Sequence, residues 1–170
     1  MKEFRRLIFL LGALLFFQAC QPDMDKKAFE RLEQTAVSLN ASLHAGMTYD
    51  QFEEGLHRFS AEITTIENRA KSRKDREMVK AFADLLTIYR DGLTLWRYKL
   101  EFTPFDFVPK GRIYVGQDVE PIVSKYNLTT ETHLYEPTEK HWRSVSEESI
   151  GFIWGNADSQ LQIIKNLLRG

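Results

Sequence analysis

Cysteine is almost missing from this chain: of 170 residues, only Cys20 carries a thiol. A secreted domain held by disulfides needs its cysteines in pairs, so that class is excluded. Proline and glycine are sparse, five and nine residues, and scattered, which excludes a low-complexity linker. Neither sign of charge dominates: 23 basic side chains face 24 acidic ones, for a net charge of −1. Without a basic excess the chain lacks the electrostatic footprint of a nucleic-acid binder, and no nucleic-acid partner is expected. A helix needs about 20 apolar residues to span a bilayer, and the apolar run Leu7 to Phe17 is roughly a dozen.

Motifs of well-known chemistry are missing too. There is no HExxH pair, no G-x-S-x-G elbow and no glycine loop that opens a helix onto a phosphate. The four histidines are His44, His57, His133 and His141. Glu53 and His57 are four apart and share a helix face, but two ligands do not make a metal site. Glu54 to His57 is a single Glu-x-x-His, where di-iron bundles need it twice. His141 has Glu136 and Glu139 nearby without a second ligand helix. Adjacent carboxylates at Glu53-Glu54 and Glu147-Glu148 point about 100° apart on a helix and share no proton. Ser146 and Ser149 read as solvated surface. No metal, no cofactor and no catalytic residue is expected.

What the chain does have is concentrated at its start. Lys2, Arg5 and Arg6 precede the apolar run, and Gln18, Ala19 and Cys20 close it. A basic region, a short apolar region and a small residue at the cut form the pattern of an export signal. Phe17-Gln18-Ala19-Cys20 resembles a bacterial lipobox. Ala19 and Cys20 fit that pattern, and Leu14-Leu15 supply aliphatic bulk just upstream. Phe17 and Gln18 stand where a leucine and a small residue are usual. The resemblance covers residues 1–21 and implies cleavage before Cys20, with several fatty-acyl chains attached there. One acyl chain, at roughly 0.8 kcal/mol per buried methylene, binds a membrane only marginally, whereas several anchor it stably. Gln21 replaces the aspartate that commonly retains such proteins in the inner membrane, so the resemblance favours the outer membrane in a Gram-negative cell. Removing 1–19 takes away Lys2, Glu3, Arg5 and Arg6 and leaves a net charge of about −3.

Residues 20–27 then read as the lipidated cysteine and a short tether, and 28–170 as one helical domain. Phe29, Leu32, Ala36, Leu39 and Leu43 step by three and four, the seam of a helix packed on helices. Gly46 ends that run. Thr48 with Gln51 forms a capping box for a second helix, whose seam is Tyr49, Phe52, Leu56, Phe59, Ile63, Ile66 and Ala70. The tight turn between them makes the two helices antiparallel neighbours. Lys71 to Arg76 reads as a solvated break. A third helix follows over 76–102, with Phe82, Leu86, Tyr89, Leu93, Trp96 and Leu100 as its seam and Val79 and Leu85 beside it. Gly92 inside it admits a close neighbour.

From Pro104 to Glu136 the pattern lapses. Arg112 to Val115 reads as a short extended piece, Val119 to Tyr126 as a brief helix, and Asn127 to Leu134 as a loop. Pro137 suits the first turn of a last helix, carrying Trp142, Val145, Ile150, Ile153, Trp154, Ala157, Leu161, Ile164 and Leu168. Gly151 and Gly155 in it permit a kink or a close helix crossing. The expected fold is therefore all-α: a four-helix up-down bundle with an irregular crossover before the last helix.

Aromatic residues crowd the late third helix, the crossover and the last helix. Trp96, Tyr98, Phe105, Phe107, Trp142 and Trp154 form the expected ligand or partner surface, with Arg97, Tyr98 and Lys99 facing outward. The favoured function is a non-catalytic envelope lipoprotein that is held at a membrane by lipid and binds another envelope protein. The second is a small-ligand binder with an apolar cleft near 96–154, and the third is an enzyme built on Glu53, His57, Glu139 or His141.

Overall fold

The structure is a computed structural model that describes residues 25–169. The expected signal, the lipidation at Cys20 and most of the expected tether lie outside those residues. Helix α1 (Lys26–His44) buries Phe29, Leu32, Ala36, Leu39 and Leu43, the five residues of its seam. Gly46 adopts φ +88° in the turn that follows, a conformation costly for any side chain. Helix α2 (Tyr49–Glu67) starts on the expected capping box: Thr48 Oγ1 accepts from Gln51 N, and the Gln51 side chain accepts from Thr48 N. It buries Phe52, Leu56, Phe59 and Ile63.

Helix α3 (Arg73–Phe102) has 30 residues, about 45 Å at 1.5 Å per residue. The stretch read as a solvated break holds its N-terminus: Lys71, Arg73, Lys74 and Arg76 are exposed, whereas Ser72 and Asp75 are buried. Ser72 and Asp75 cap each other there, and Asp75 accepts backbone N–H bonds from Asp25 at 3.3 Å, Lys71 at 3.1 Å and Ser72 at 2.9 Å. The bond from Asp25 places the start of α1 beside the start of α3. α1 and α3 therefore run parallel, with α2 antiparallel between them. α1 begins at Lys26, two residues inside the expected tether.

Beyond α3 the expectation of an all-α chain is corrected. Strand β1 (Arg112–Tyr114) leads to α4 (Glu120–Tyr126), then to β2 (Thr130–Tyr135) and β3 (Lys140–Ser146). The three strands form an antiparallel sheet in the order β1-β3-β2. Asn127 to Leu134 is thus mostly strand. Pro137 lies in a 3-10 turn (Glu136–Thr138) between β2 and β3, and the last helix, α5 (Glu148–Arg169), starts eleven residues later. Trp142 and Val145 are three apart, which mimics a helix, yet they lie on opposite faces of β3. Val145 pairs with Ile113 against the core, and Trp142 pairs with His133 on the other side.

α5 runs back along α3 to complete four antiparallel layers, with Gln160 Nε2 donating to Ala81 O at 2.9 Å. Its core side is Ile153, Ala157, Leu161 and Ile164. It continues unbroken through Gly151 and Gly155, and a side chain at either would meet nothing within 4 Å. No helix crosses there; the close approach is at Gly92, where an added Cβ would lie 2.1 Å from the Trp154 ring.

Two buried clusters result. The larger fills the bundle; the smaller joins Leu95, Tyr98, Ile113, Val119, Ile122, Val123, Val145 and Ile153 beneath the sheet, and Ile88 and Trp154 touch both. α3 changes its buried face between them. Tyr98, expected outside, is therefore buried, whereas Leu100, expected on the seam, is 52% exposed.

Candidate functional site

The aromatic groove is built where α3 stops. Phe105 N bonds to Phe102 O at 3.0 Å and Val108 N to Phe105 O at 3.1 Å, so the chain turns back in two tight steps. Gly111, at φ +79°, lets it enter β1. That path swings Phe107 over the outer face of the sheet. Its ring lies 5.4 Å from Trp142, edge-on, 5.8 Å from Tyr135 and 6.2 Å from Tyr114. Phe102 stacks on Tyr114 at 4.9 Å, and Tyr98 stacks on Phe102 at 5.4 Å. Such pairs add ~0.5–1.5 kcal/mol each beyond buried area. An open groove of about 500 Å³ remains between these rings and the β2–β3 turn, with Thr138, Lys140 and His141 on its polar rim.

A polar cluster fixes the wall behind the groove. Arg112 donates from Nε to Ser144 Oγ at 2.9 Å and from Nη2 to Ser144 O at 3.1 Å, and pairs with Glu131 at 3.0 Å. His133 Nε2 is 2.7 Å from Ser144 Oγ. A guanidinium only donates, so Ser144 accepts from Arg112 and its own proton is free for His133. His133 in turn stacks on Trp142 at 4.3 Å. A serine paired with a histidine resembles a nucleophile and its base. Here the serine is 0% exposed and held by three bonds, and the His133 ring that it meets is the one stacked on Trp142.

The expected surface residues separate into two places. Phe105, 52% exposed, and half-buried Phe107 and Trp142 are at the groove. Tyr98 supports it from below, packed so closely that a Cβ on Gly116 would lie 2.6 Å from its ring. Trp96 and Trp154 belong to the bundle. Trp96 meets Tyr49 at 5.8 Å, and Trp154 meets Phe52 at 5.3 Å and Tyr89 at 6.4 Å. They also line a separate cleft of about 440 Å³ between Met47 on the α1–α2 turn and Lys99 and Glu147. Phe102 is among the aromatics that the sequence crowds here, but Tyr114, Tyr135, His133 and Arg112 were not assigned to the surface. The strand pairing His133↔Trp142 and Tyr114↔Ser144 brings those four to the groove, and Phe102 reaches it by stacking on Tyr114.

The remaining candidates stay apart. His57 is exposed on α2, while Glu53 accepts from Tyr49 Oη at 3.3 Å. Burial, and after it the Glu53 charge, raises the Tyr49 pKa. His44 Nε2 meets Asp158 Oδ1 at 3.1 Å, beside Asn40, which donates to the same oxygen at 2.7 Å. Tyr89 donates to Asn40 at 3.0 Å; burial, and then Asp158, pushes its pKa upward. Glu139 sits in the β2–β3 turn at φ +53°. Glu147 pairs with Lys99 at 2.9 Å. Among the described residues no group of three or more His, Cys, Asp and Glu side chains can hold a metal ion, and no helix is long and apolar enough to cross a membrane.

No family model, curated protein or solved structure matches this chain.

Proposed function

We propose that this chain is a lipid-anchored protein of the cell envelope, and that its aromatic groove binds an extended segment of another envelope protein. The carrying observation is the groove beside an open strand edge. β2 has only β3 for a neighbour, and its other edge makes no backbone hydrogen bond among the described residues. Leu134 and Tyr135 are exposed along it. An extended peptide laid on such an edge gains main-chain bonds, and the groove takes its side chains. Aromatic anchors with a polar rim are the usual composition of such a contact.

The anchor reading rests on the sequence around Cys20, and the geometry is compatible with it. α1 starts at one pole, and the groove lies past the end of α3, about 45 Å away. Cys20 precedes Asp25 by a span of at most about 18 Å. A protein held at Cys20 and standing on that pole presents the groove away from the lipid.

The test is a photo-crosslinking residue at Tyr135 of the full chain, in envelopes of the source organism, with Lys80 on the bundle as control. The expected result is an adduct to one envelope protein at 135 only, lost when Phe107→Ala is added. Equal labelling at both positions contradicts the reading. A small ligand is the second reading, favoured by the groove's volume, which lies in the range of small-molecule sites. A ligand that quenches Trp142 fluorescence, with no protein adduct at 135, selects it.

A further inference from the structure

The pole where α1 begins gathers three other helix ends. Asp75 accepts from Asp25 N, which brings in the start of α3, and the turn 68–72 brings in the end of α2. α5 returns to the same pole, because Gln160 meets Ala81 eight residues beyond the start of α3. Residues 25–31, 67–77 and 165–169 lie within about 9 Å of this pole along the helix axes. They hold ten lysines and arginines against five carboxylates, a side-chain charge of +5. The other described residues hold ten against 17, a charge of −7. The sequence is near balance as a whole, and folding separates the two signs.

The cations of the pole also lack the partners that cations have elsewhere. Among the described residues, seven of the ten outside the pole pair with a carboxylate. Of the ten at the pole only Arg73 does, with Glu77 at 2.8 Å. Asp75 is buried under three backbone N–H bonds and offers them nothing. Lys26, Lys27, Arg69, Lys71 and Lys74 stand exposed. Like charges gathered on one surface repel one another, and an external counter-charge relieves that repulsion. Among the described residues Leu167 is the one large apolar side chain exposed at this pole. The attraction it can exert is therefore one of charge, not of insertion.

We propose that this pole docks on an anionic phospholipid surface, with its cations set against the headgroup phosphates. The inference rests on the lipid anchor proposed above and deepens it. Cys20 lies at most about 18 Å from Asp25, so acyl groups there hold the pole within reach of the bilayer. An acyl anchor and a basic patch are two signals that together fix a protein on a membrane. Exposed charges act over about 8 Å at physiological ionic strength, so the cations contribute only when the pole lies on the surface. The acidic remainder is repelled by that same surface, which turns the groove away from it. Duplex DNA offers phosphates too, but these cations cap four helix ends, and the chain leading to Cys20 leaves from among them.

The test places a fluorophore at Asn68→Cys, in the α2–α3 turn, or at Asp106→Cys, past the far end of α3. The full chain carries Cys20→Ser, so each label is unique and acylation plays no part. Vesicles of phosphatidylcholine, or of equal parts phosphatidylcholine and phosphatidylglycerol, carry a quencher on their headgroups. Quenching at 68 and not at 106 is expected on the anionic vesicles, and it should vanish in 1 M salt, where screening shortens to about 3 Å. Each cation on an anionic surface strengthens attachment about fivefold. Lys27→Gln, Arg69→Gln and Lys74→Gln together should therefore weaken it about a hundredfold and abolish the quenching. Arg58→Gln, Arg90→Gln and Lys110→Gln, the same loss of charge elsewhere, should leave it in place. Equal quenching at 68 and 106, equal quenching on phosphatidylcholine alone, or survival in the pole variant would each overturn the proposal. So would release by duplex DNA at equal phosphate concentration. With serine at position 20, failure here is separate from failure of the anchor, which the mass of the protein from its host reads.

Discussion

Asp75 is one carboxylate that holds the starts of two helices. Burial works to raise its pKa, but the bonds from Ser72, Lys71 and Asp25 outweigh it, and the net shift is downward. A depressed carboxyl pKa contributes stability that is complete above the unfolded value, about 3.9, and is lost as pH falls through the folded one. Asp75→Asn offers one acceptor where three N–H groups need several. It should cost about 2 kcal/mol at pH 7 and flatten the loss of stability below pH ~4, as read by urea unfolding across that range. At Gly92 the opposite problem applies, because there is no room. Gly92→Ala gains up to about 1 kcal/mol in helix propensity but drives a methyl into Trp154. A net loss of ~1–3 kcal/mol is expected from overpacking. An unchanged or raised melting temperature would show that Trp154 moves freely.

The elements divide by how plainly the sequence announces them. The seams of α1 and α2 and the core side of α5 were legible because each repeats one spacing over several turns. The sheet was not. β1 has three residues, β2 is Thr-Glu-Thr-His-Leu-Tyr with no fully buried position, and β3 carries Trp142 and Val145 at a helical interval. Short strands are specified by their partners, and here the partners are far apart in sequence. α3 misled for a related reason: it exchanges one buried face for another, and only the sheet packed on its second half makes Tyr98 internal. The sequence crowded Phe102, Phe105, Phe107 and Trp142 together, and these do adjoin one groove, whereas Tyr114 and Tyr135 joined them only through strand pairing. Phe107 is the clasp between the loop after α3 and the sheet. Phe107→Ala should cost about 1–2 kcal/mol, less than a fully buried Phe. It should weaken the near-ultraviolet circular dichroism of Trp142 and its neighbours while the helical far-ultraviolet signal persists. Loss of both signals together would mean that the groove and the bundle are one cooperative unit.

At the scale of the whole molecule, the described helical bundle has the start of α1 at one pole and an aromatic groove with an open strand edge at the other. On the proposed function, that polarity puts the end nearest Cys20 toward the membrane and the groove toward a partner. The proposed tether rests only on the sequence, on a solitary cysteine placed after a short apolar run. Cys20→Ser should leave the fold of 25–169 intact and shift the protein from the membrane fraction to the soluble one, or leave the leader uncut. The most direct measurement is the intact mass of the protein recovered from membranes of its own host. A chain beginning at Cys20 and carrying several acyl groups is the expected result. A mass equal to the whole chain from Met1, or a chain with an unmodified thiol at position 20, would contradict it.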